Sequence, residues 1–136
     1  MFLWLSVRLL PLCSVRKSAY ASIIAGPAVF EFTAPSAPDR HREAAAIFNQ
    51  YQPDNIQDDR LPDSDIGKLL HDRIARFLVG INVPRGLNAI GYKSENIPDL
   101  VKGTLPQRRV LDLAPGMKGS EGQEELAGII ERAMSF

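Results

Sequence analysis

The sequence predicts an all-α protein, and three observations carry that prediction. Apolar residues recur at helical spacings of three, four and eight positions, most clearly between residues 66 and 78. Residues that favour helix N-termini precede several such segments, with Ser36 followed by Asp39 and Ser120 followed by Gln123. No stretch shows the period-two alternation of a half-buried strand, and the chain contains no internal repeat.

The first predicted helix covers residues 18 to 33, which are small and apolar. So much Ala and Gly suits a helix that packs closely against other elements. Pro27 should bend or interrupt this helix, because its nitrogen cannot donate a hydrogen bond to the preceding turn. One face is predicted to carry Ile23, Ile24, Pro27, Phe30 and Ala34.

A second helix is predicted from Pro38 to Asn49. Ser36 and Asp39 form its capping pair, and Pro38 lies in the first turn, where a missing donor does no harm. Residues 50 to 62 follow as a polar surface loop with two prolines. The residues that this second helix should bury are Ala44, Ala45, Ile47 and Phe48.

The clearest helix begins at Asp63 or Ser64 and ends at Gly80, where a left-handed cap is expected. After it comes a connector with one short helical turn at 87–90. The apolar stripe of this third helix consists of Ile66, Leu69, Leu70, Ile74, Phe77 and Leu78.

Two further helices are predicted toward the C-terminus. Ser94 or Asn96 caps the first of them, with Pro98 and Asp99 in its opening turn. Residues 116 to 119 form a loop, after which the capping box of Ser120 and Gln123 starts the last helix. The apolar faces comprise Leu100, Val101 and Leu105 in one helix, and Leu126, Ile129, Ile130, Ala133 and Met134 in the other.

Composition limits the classes of function. The chain of 136 residues, 45% hydrophobic, fits one modest domain or part of a larger one. Sixteen basic and sixteen acidic residues give no net charge, so no bulk attraction to nucleic acid is expected. The single cysteine, Cys13, excludes an internal disulfide and a thiolate zinc site. No run approaches the roughly 20 apolar residues of a membrane-spanning helix.

The N-terminal segment differs in composition from the rest. The first acidic residue is Glu31, and residues 1–17 contain Arg8, Arg16 and Lys17 among Leu, Val, Trp and Ser. This composition is typical of a mitochondrial presequence. A secretory signal is the rival interpretation, although Arg8 interrupts the apolar run. A third interpretation is that residues 1–17 are a non-native start to residues 18–136.

The two histidines offer little chemistry. His41 lies among charged residues on the second helix and is interpreted as solvated or capping rather than as a base or metal ligand. His71 flanks the apolar stripe beside Asp72 and is interpreted as a boundary residue bonded to a neighbour. The pair lacks the i, i+4 spacing of a helical two-histidine metal site.

The acidic residues of the loop do not form a calcium motif. Their spacing lacks the central Gly and the closing bidentate Glu of the twelve-residue calcium loop, so a solvated acidic loop is predicted. The basic residues of the third helix are expected on its solvated side. Neither a phosphate-binding glycine loop nor a nucleophile elbow is present. These acids are Asp54, Asp58, Asp59, Asp63 and Asp65, and the bases are Lys68, Arg73 and Arg76.

Two stretches together resemble the C-terminal part of the iron-containing alcohol dehydrogenase family, and most closely its mitochondrial transhydrogenases acting on hydroxyacids and oxoacids. The resemblance extends over residues 18–136. The stretches are GPAVFEFTAPSAPDRHREAA at 26–45 and GINVPRGLNAIGYKSENIPDLVKGTLPQRRVLDLAP at 80–115.

The resemblance implies a partial helical C-terminal domain of the dehydroquinate synthase-like fold. In the family this domain adjoins a dinucleotide-binding domain, and one Asp and three His hold a divalent metal, usually iron. The last of these His belongs to a Pro-His-Gly motif that aligns here with Lys17, Ser18 and Ala19. No catalytic, cofactor-binding or metal-binding residue is therefore assigned to this chain, and neither iron nor NAD(H) is expected to bind to it.

Two hypotheses on function remain open. In the first, the chain is a mitochondrial fragment of such an oxidoreductase and is inactive by itself. The intact homologue is expected to oxidise 4-hydroxybutyrate to succinate semialdehyde while reducing 2-oxoglutarate to 2-hydroxyglutarate. In the second, the chain is a non-catalytic helical module that binds a protein. Self-association through exposed apolar helix faces is expected, and neither nucleic acid nor membrane is an expected partner.

Overall fold

The described residues of this chain, 15–51, 53–117 and 122–136, form helices and connecting turns in the computed structural model. No strand occurs within these ranges, which confirms the all-α prediction. Short 3-10 turns at 34–36, 58–60, 87–90 and 94–96 link the helices. The helices are α1 (Val15–Thr33), α2 (Pro38–Tyr51), α3 (Asp63–Gly80), α4 (Ile97–Thr104), α5 (Arg108–Leu111) and α6 (Gln123–Ala133).

Helix α1 continues through Pro27 without the predicted interruption. A residue before proline normally avoids helical geometry because its Cβ meets the proline ring, and Gly26 has no Cβ. The residues of the predicted face differ in burial: Ile24, Pro27 and Ala34 are buried, whereas Ile23 and Phe30 are 46% and 47% exposed. The core face of α1 consists of Ala21, Ile24, Ala25 and Ala28.

Helix α2 packs on α3 through a narrower face than predicted. Ala45 is buried and Ala44 and Phe48 are half-buried, but Ile47 is 55% exposed. At 100° per residue, Ile47 lies well away from the direction that Ala44, Ala45 and Phe48 share. The residue before the helix is Ala37, not Ser36, and its carbonyl oxygen accepts the first helical bond from the His41 N–H at 3.2 Å.

Helix α3 carries the predicted stripe: Phe77 is half-buried and the other five members are buried. The helix crosses α1 at Gly67, where a Cβ would lie 2.8 Å from the carbonyl oxygen of Glu31. Its predicted left-handed cap at Gly80 is wrong. Asn82 has the positive φ, 62°, and the Val83 and Asn82 N–H groups donate to the Leu78 and Val79 carbonyl oxygens. This is the Schellman motif, which accepts Asn as well as Gly.

The connector after α3 is fastened to the end of the chain. The predicted turn forms at Leu87–Ile90, and the Asn88 N–H donates to the carbonyl oxygen of Met134 at 3.1 Å. Gly86 has φ 86°, and a Cβ there would lie 2.2 Å from the same oxygen. Only glycine therefore allows the connector and the end of α6 to approach this closely.

The C-terminal helices complete a core around α1, which lies between α3 and α6, while α4 packs on α6. Asn96 precedes α4, and Leu100 and Val101 are buried as predicted, with Leu105 half-buried. All five predicted apolar residues of the last helix are buried. That helix begins after Gly122, and the predicted cap, Ser120, lies outside the described residues.

Candidate functional site

A buried arginine is the best-organised polar group in the described part of the chain. The side chain of Arg73 is 1% exposed and its guanidinium uses all five of its N–H groups. It contacts Asp54 at 3.0 and 2.8 Å, Asp58 at 2.7 and 2.7 Å, and the carbonyl oxygen of Ala45 at 2.9 Å. Two bidentate carboxylates thus hold one cation against α2.

This Arg73 cluster (Arg73, Asp54 and Asp58) corrects two predictions. The loop acids Asp54 and Asp58 bind a buried cation instead of being solvated, and Arg73 does not lie on the polar side of α3. Hydrogen bonds from Arg73 hold the pKa of the Asp54 carboxyl well below its usual range, with a further contribution from Arg76. Asp54 and Asp58 in turn raise the pKa of Arg73, so the cation stays charged.

A signal for this cluster was present in the sequence. Arg73 follows Ile66 and Leu70 at helical spacings of seven and three, which places it within the apolar stripe. A cation inside such a stripe requires anionic partners, and the acid-rich loop before α3 supplies them.

His41 is buried, so of the two predicted roles, solvated or capping, the solvated one is wrong. Its Nδ1 donates to the Ala37 carbonyl oxygen at 2.8 Å, and its Nε2 lies 3.1 Å from Thr33 Oγ1. The Phe30 ring packs edge-on at 6.1 Å between centroids. Both ring nitrogens are engaged, and they join the end of α1 to the start of α2.

His71 fulfils its prediction, since it lies at the core boundary with Nδ1 3.1 Å from Asp72 Oδ1. The described residues do not fit the divalent metal that the family resemblance implies. Within 15–51, 53–117 and 122–136, no three His, Cys, Asp or Glu side chains are placed to hold an ion. Asp54 and Asp58 are already bound by Arg73, and Cys13 lies outside the described residues.

An apolar groove of about 420 Å³ lies where α1, the end of α4, α5 and α6 meet. We call it the α1–α6 groove. Its walls are mostly aliphatic and aromatic, and the described polar residues that line it are Thr33, Thr104, Gln107 and Arg109. The apolar walls are formed by Val29, Phe32, Leu111, Leu113, Ala114, Pro115, Met117, Leu126 and Ile129. No described helix is both long and apolar enough to cross a lipid bilayer.

Comparison with known proteins finds relatives that share one name. The chain is 44% identical over 114 residues to the mitochondrial hydroxyacid-oxoacid transhydrogenase of Xenopus tropicalis, and 43% identical to that of Mus musculus. Each match covers 84% of this chain and 23% of the relative. A probable hydroxyacid-oxoacid transhydrogenase of Dictyostelium discoideum is 46% identical over 93 residues, 68% of this chain and 16% of the relative. No family model and no solved structure matches.

The fold and the engaged polar groups define an all-helical protein region in which both ring nitrogens of His41 and all five N–H groups of Arg73 are engaged within the described residues. On sequence identity, the chain belongs to the hydroxyacid-oxoacid transhydrogenase family, as its two motifs indicated. The relatives are named as mitochondrial proteins, which confirms the mitochondrial prediction. The chain spans less than a quarter of the length of these relatives.

Proposed function

We propose that this chain supplies a helical region of a hydroxyacid-oxoacid transhydrogenase and does not catalyse the reaction by itself. The observation that carries the proposal is the 44% identity over 114 residues to a relative of that name. For the complete enzyme, the proposed reaction oxidises 4-hydroxybutyrate to succinate semialdehyde and reduces 2-oxoglutarate to 2-hydroxyglutarate. The two hydrogens that leave the hydroxyacid equal the two that the oxoacid gains, so the reaction needs no external oxidant.

The contacts of the described residues support a structural role. A general base needs a free ring nitrogen, and both nitrogens of His41 are bonded within the fold. Arg73 has no N–H left for a substrate carboxylate. Iron and NAD(H) are therefore assigned to the complete enzyme and not to the residues described.

A chimera tests the proposal. In the Xenopus tropicalis relative, the matched region is replaced by the corresponding 114 residues of this chain, and 2-hydroxyglutarate is measured by mass spectrometry. If the two regions are equivalent, the chimera should retain activity within about tenfold of the parent. A larger loss is expected only if the exchange displaces reacting groups, because a displacement of about 1 Å lowers the rate about a hundredfold. A chimera that folds and loads metal but forms no product would contradict the proposal.

The chain of 136 residues assayed alone supplies the complementary test. It should form no 2-hydroxyglutarate and should retain no stoichiometric iron or zinc after dialysis. One tightly bound ion per chain would show that the proposed division of roles is wrong.

The second candidate function, a non-catalytic module that binds a protein, is favoured by one observation. Ile23 and Phe30 are about half exposed on α1, although helices of soluble proteins normally turn polar residues outward. Saturable binding of this chain to the mouse enzyme, measured by interferometry and lost in an Ile23→Lys, Phe30→Lys variant, would support this function.

A further inference from the structure

The α1–α6 groove carries an asymmetric arrangement of charge. Among the 13 described residues that line it, none is acidic and Arg109 is the one cation. In the part of the chain that the structure describes, no hydrogen bond or ion pair engages Arg109. Its neighbour Arg108, by contrast, does not line the groove and pairs with Asp112 at 2.6 Å.

The other polar groups of the groove contribute less. The Thr104 hydroxyl donates to the Leu100 carbonyl oxygen at 2.8 Å, and the Thr33 hydroxyl oxygen lies 3.1 Å from both the Val29 carbonyl oxygen and His41 Nε2. Among the described lining residues, the side chains that can still donate to a ligand are therefore Arg109 and the half-buried Gln107. A volume of about 420 Å³ lies within the roughly 300–1,000 Å³ range of small-molecule sites.

We propose that the α1–α6 groove binds a monocarboxylate with an unbranched apolar chain. The carboxylate accepts hydrogen bonds from Arg109, and the chain lies against Phe32, Leu126 and Ile129. This site goes beyond the proposed function, because it requires neither the metal nor the cofactor of the complete enzyme.

The groove disfavours other anions for physical reasons. A second carboxylate at the far end of the ligand would be desolvated against Leu126 and Ile129, both buried and apolar, and no described residue there supplies a cation to compensate it. A phosphate carries more charge than Arg109, the one cation among the described lining residues, can neutralise. An apolar tail has no such cost and gains from leaving water.

The test titrates the full chain with butanoate, hexanoate and octanoate by calorimetry, with octanol as the uncharged control. Affinity should rise about fourfold for each methylene added, because moving one methylene group out of water strengthens binding by about that factor. Octanoate should bind more tightly than octanol. Equal affinity for the two would overturn the proposal, because the groove would then accept any apolar group, including a side chain of a protein.

Variants locate the site. Arg109→Gln should weaken octanoate binding about tenfold and leave octanol unchanged, because one charge-assisted contact is removed. Arg108→Gln is the matched control and should change neither affinity.

Ala114→Trp should fill the groove and weaken the binding of both ligands. Should that variant fail to fold, Leu113→Asp serves instead: Leu113 is 81% exposed, and the new carboxylate should repel octanoate but not octanol. Undetectable octanoate binding to the unmodified chain, or an Arg109→Gln variant that binds octanoate normally, would overturn the proposal.

Discussion

At the scale of single residues, the Arg73 cluster is the feature on which the free energy of folding depends most. A guanidinium that is 1% exposed loses nearly all of its hydration, and only partners with good geometry can offset that loss. Asp54, Asp58 and the Ala45 carbonyl oxygen provide five such contacts. The cluster fastens the loop before α3 to both α2 and α3.

Removing the cation should therefore destabilise the chain strongly. Arg73→Met keeps an apolar stem but leaves two carboxylates poorly solvated, and the free energy of unfolding should fall by about 3 kcal/mol. The control is Arg40→Met, because Arg40 forms an exposed pair with Glu43. Removing that pair should change the free energy of unfolding by no more than about the error of the measurement. Urea unfolding followed by circular dichroism compares the variants. Equal stability of the two would mean that the cluster contributes little.

The same cluster predicts acid sensitivity. The folded state lowers the pKa of Asp54 below the roughly 3.9 of an unfolded aspartate, so the unfolded chain binds more protons in acid. The stabilisation is fully present above pH 4 to 5 and should be lost as the pH falls toward the folded pKa. Unfolding free energies at pH 6 and pH 3 should differ less in Asp54→Asn than in the unmodified chain. An identical pH dependence would contradict this assignment.

At the scale of elements, the crossing of α1 and α3 depends on Gly67. A Cβ at Gly67 would lie 2.8 Å from backbone oxygen and 2.9 Å from the Ala34 Cβ, so neither neighbour can turn away. Gly67→Ala should separate the two helices and lower stability by about 1–3 kcal/mol, despite the higher helix propensity of alanine.

Gly128 provides the matched control within α6. A Cβ there would meet only the end of the Arg132 side chain at 3.7 Å, an ordinary contact. Gly128→Ala should therefore stabilise the chain by up to about 1 kcal/mol through propensity alone. Thermal unfolding of both variants checks the pair, and a stabilised Gly67→Ala would show that the helices do not pack closely there.

Elements with strong periodicity were predictable from the sequence, and side-chain partners were not. The stripes of α3 and α6 follow directly from spacing, because one helix face must leave water whatever it packs against. Ile47 is exposed although the sequence predicts its burial, because α2 buries only the narrow face that packs on α3. The cap at Asn82 was missed because Gly80 offered the more usual signal. The place of Arg73 in the stripe signals that it needs an anionic partner, but which acids bind it depends on a loop folding back over some 15–19 residues, which no local pattern specifies.

At the scale of the whole molecule, α1 is the central helix and also the least polar. No charged residue occurs from Ser18 to Phe30, about 20 Å of helix. Packing between α3 and α6 buries Ile24, and Val29 and Phe32 are half-buried, which reduces the apolar surface that α1 exposes. Ile23 and Phe30, within this uncharged stretch, remain about half exposed.

The chain should therefore self-associate at micromolar concentration through this face. Exposed apolar patches favour association, and a net charge of zero provides no repulsion between chains. Light scattering coupled to size exclusion should show a mass that rises with concentration. Ile23→Lys combined with Phe30→Lys should return the mass to that of a monomer, because the introduced charges repel between copies.

Two controls assign the association to α1. Ile81→Lys introduces the same charge at a residue that is 55% exposed beyond α3, and it should leave the association unchanged. A chain that begins at residue 15 removes the leucine-rich segment, which also lacks acids and could contribute apolar contacts. If that shortened chain is monomeric while its α1 is intact, the first 14 residues cause the association. A monomeric full-length chain with a sharp thermal transition would instead show that the helices satisfy one another without any partner.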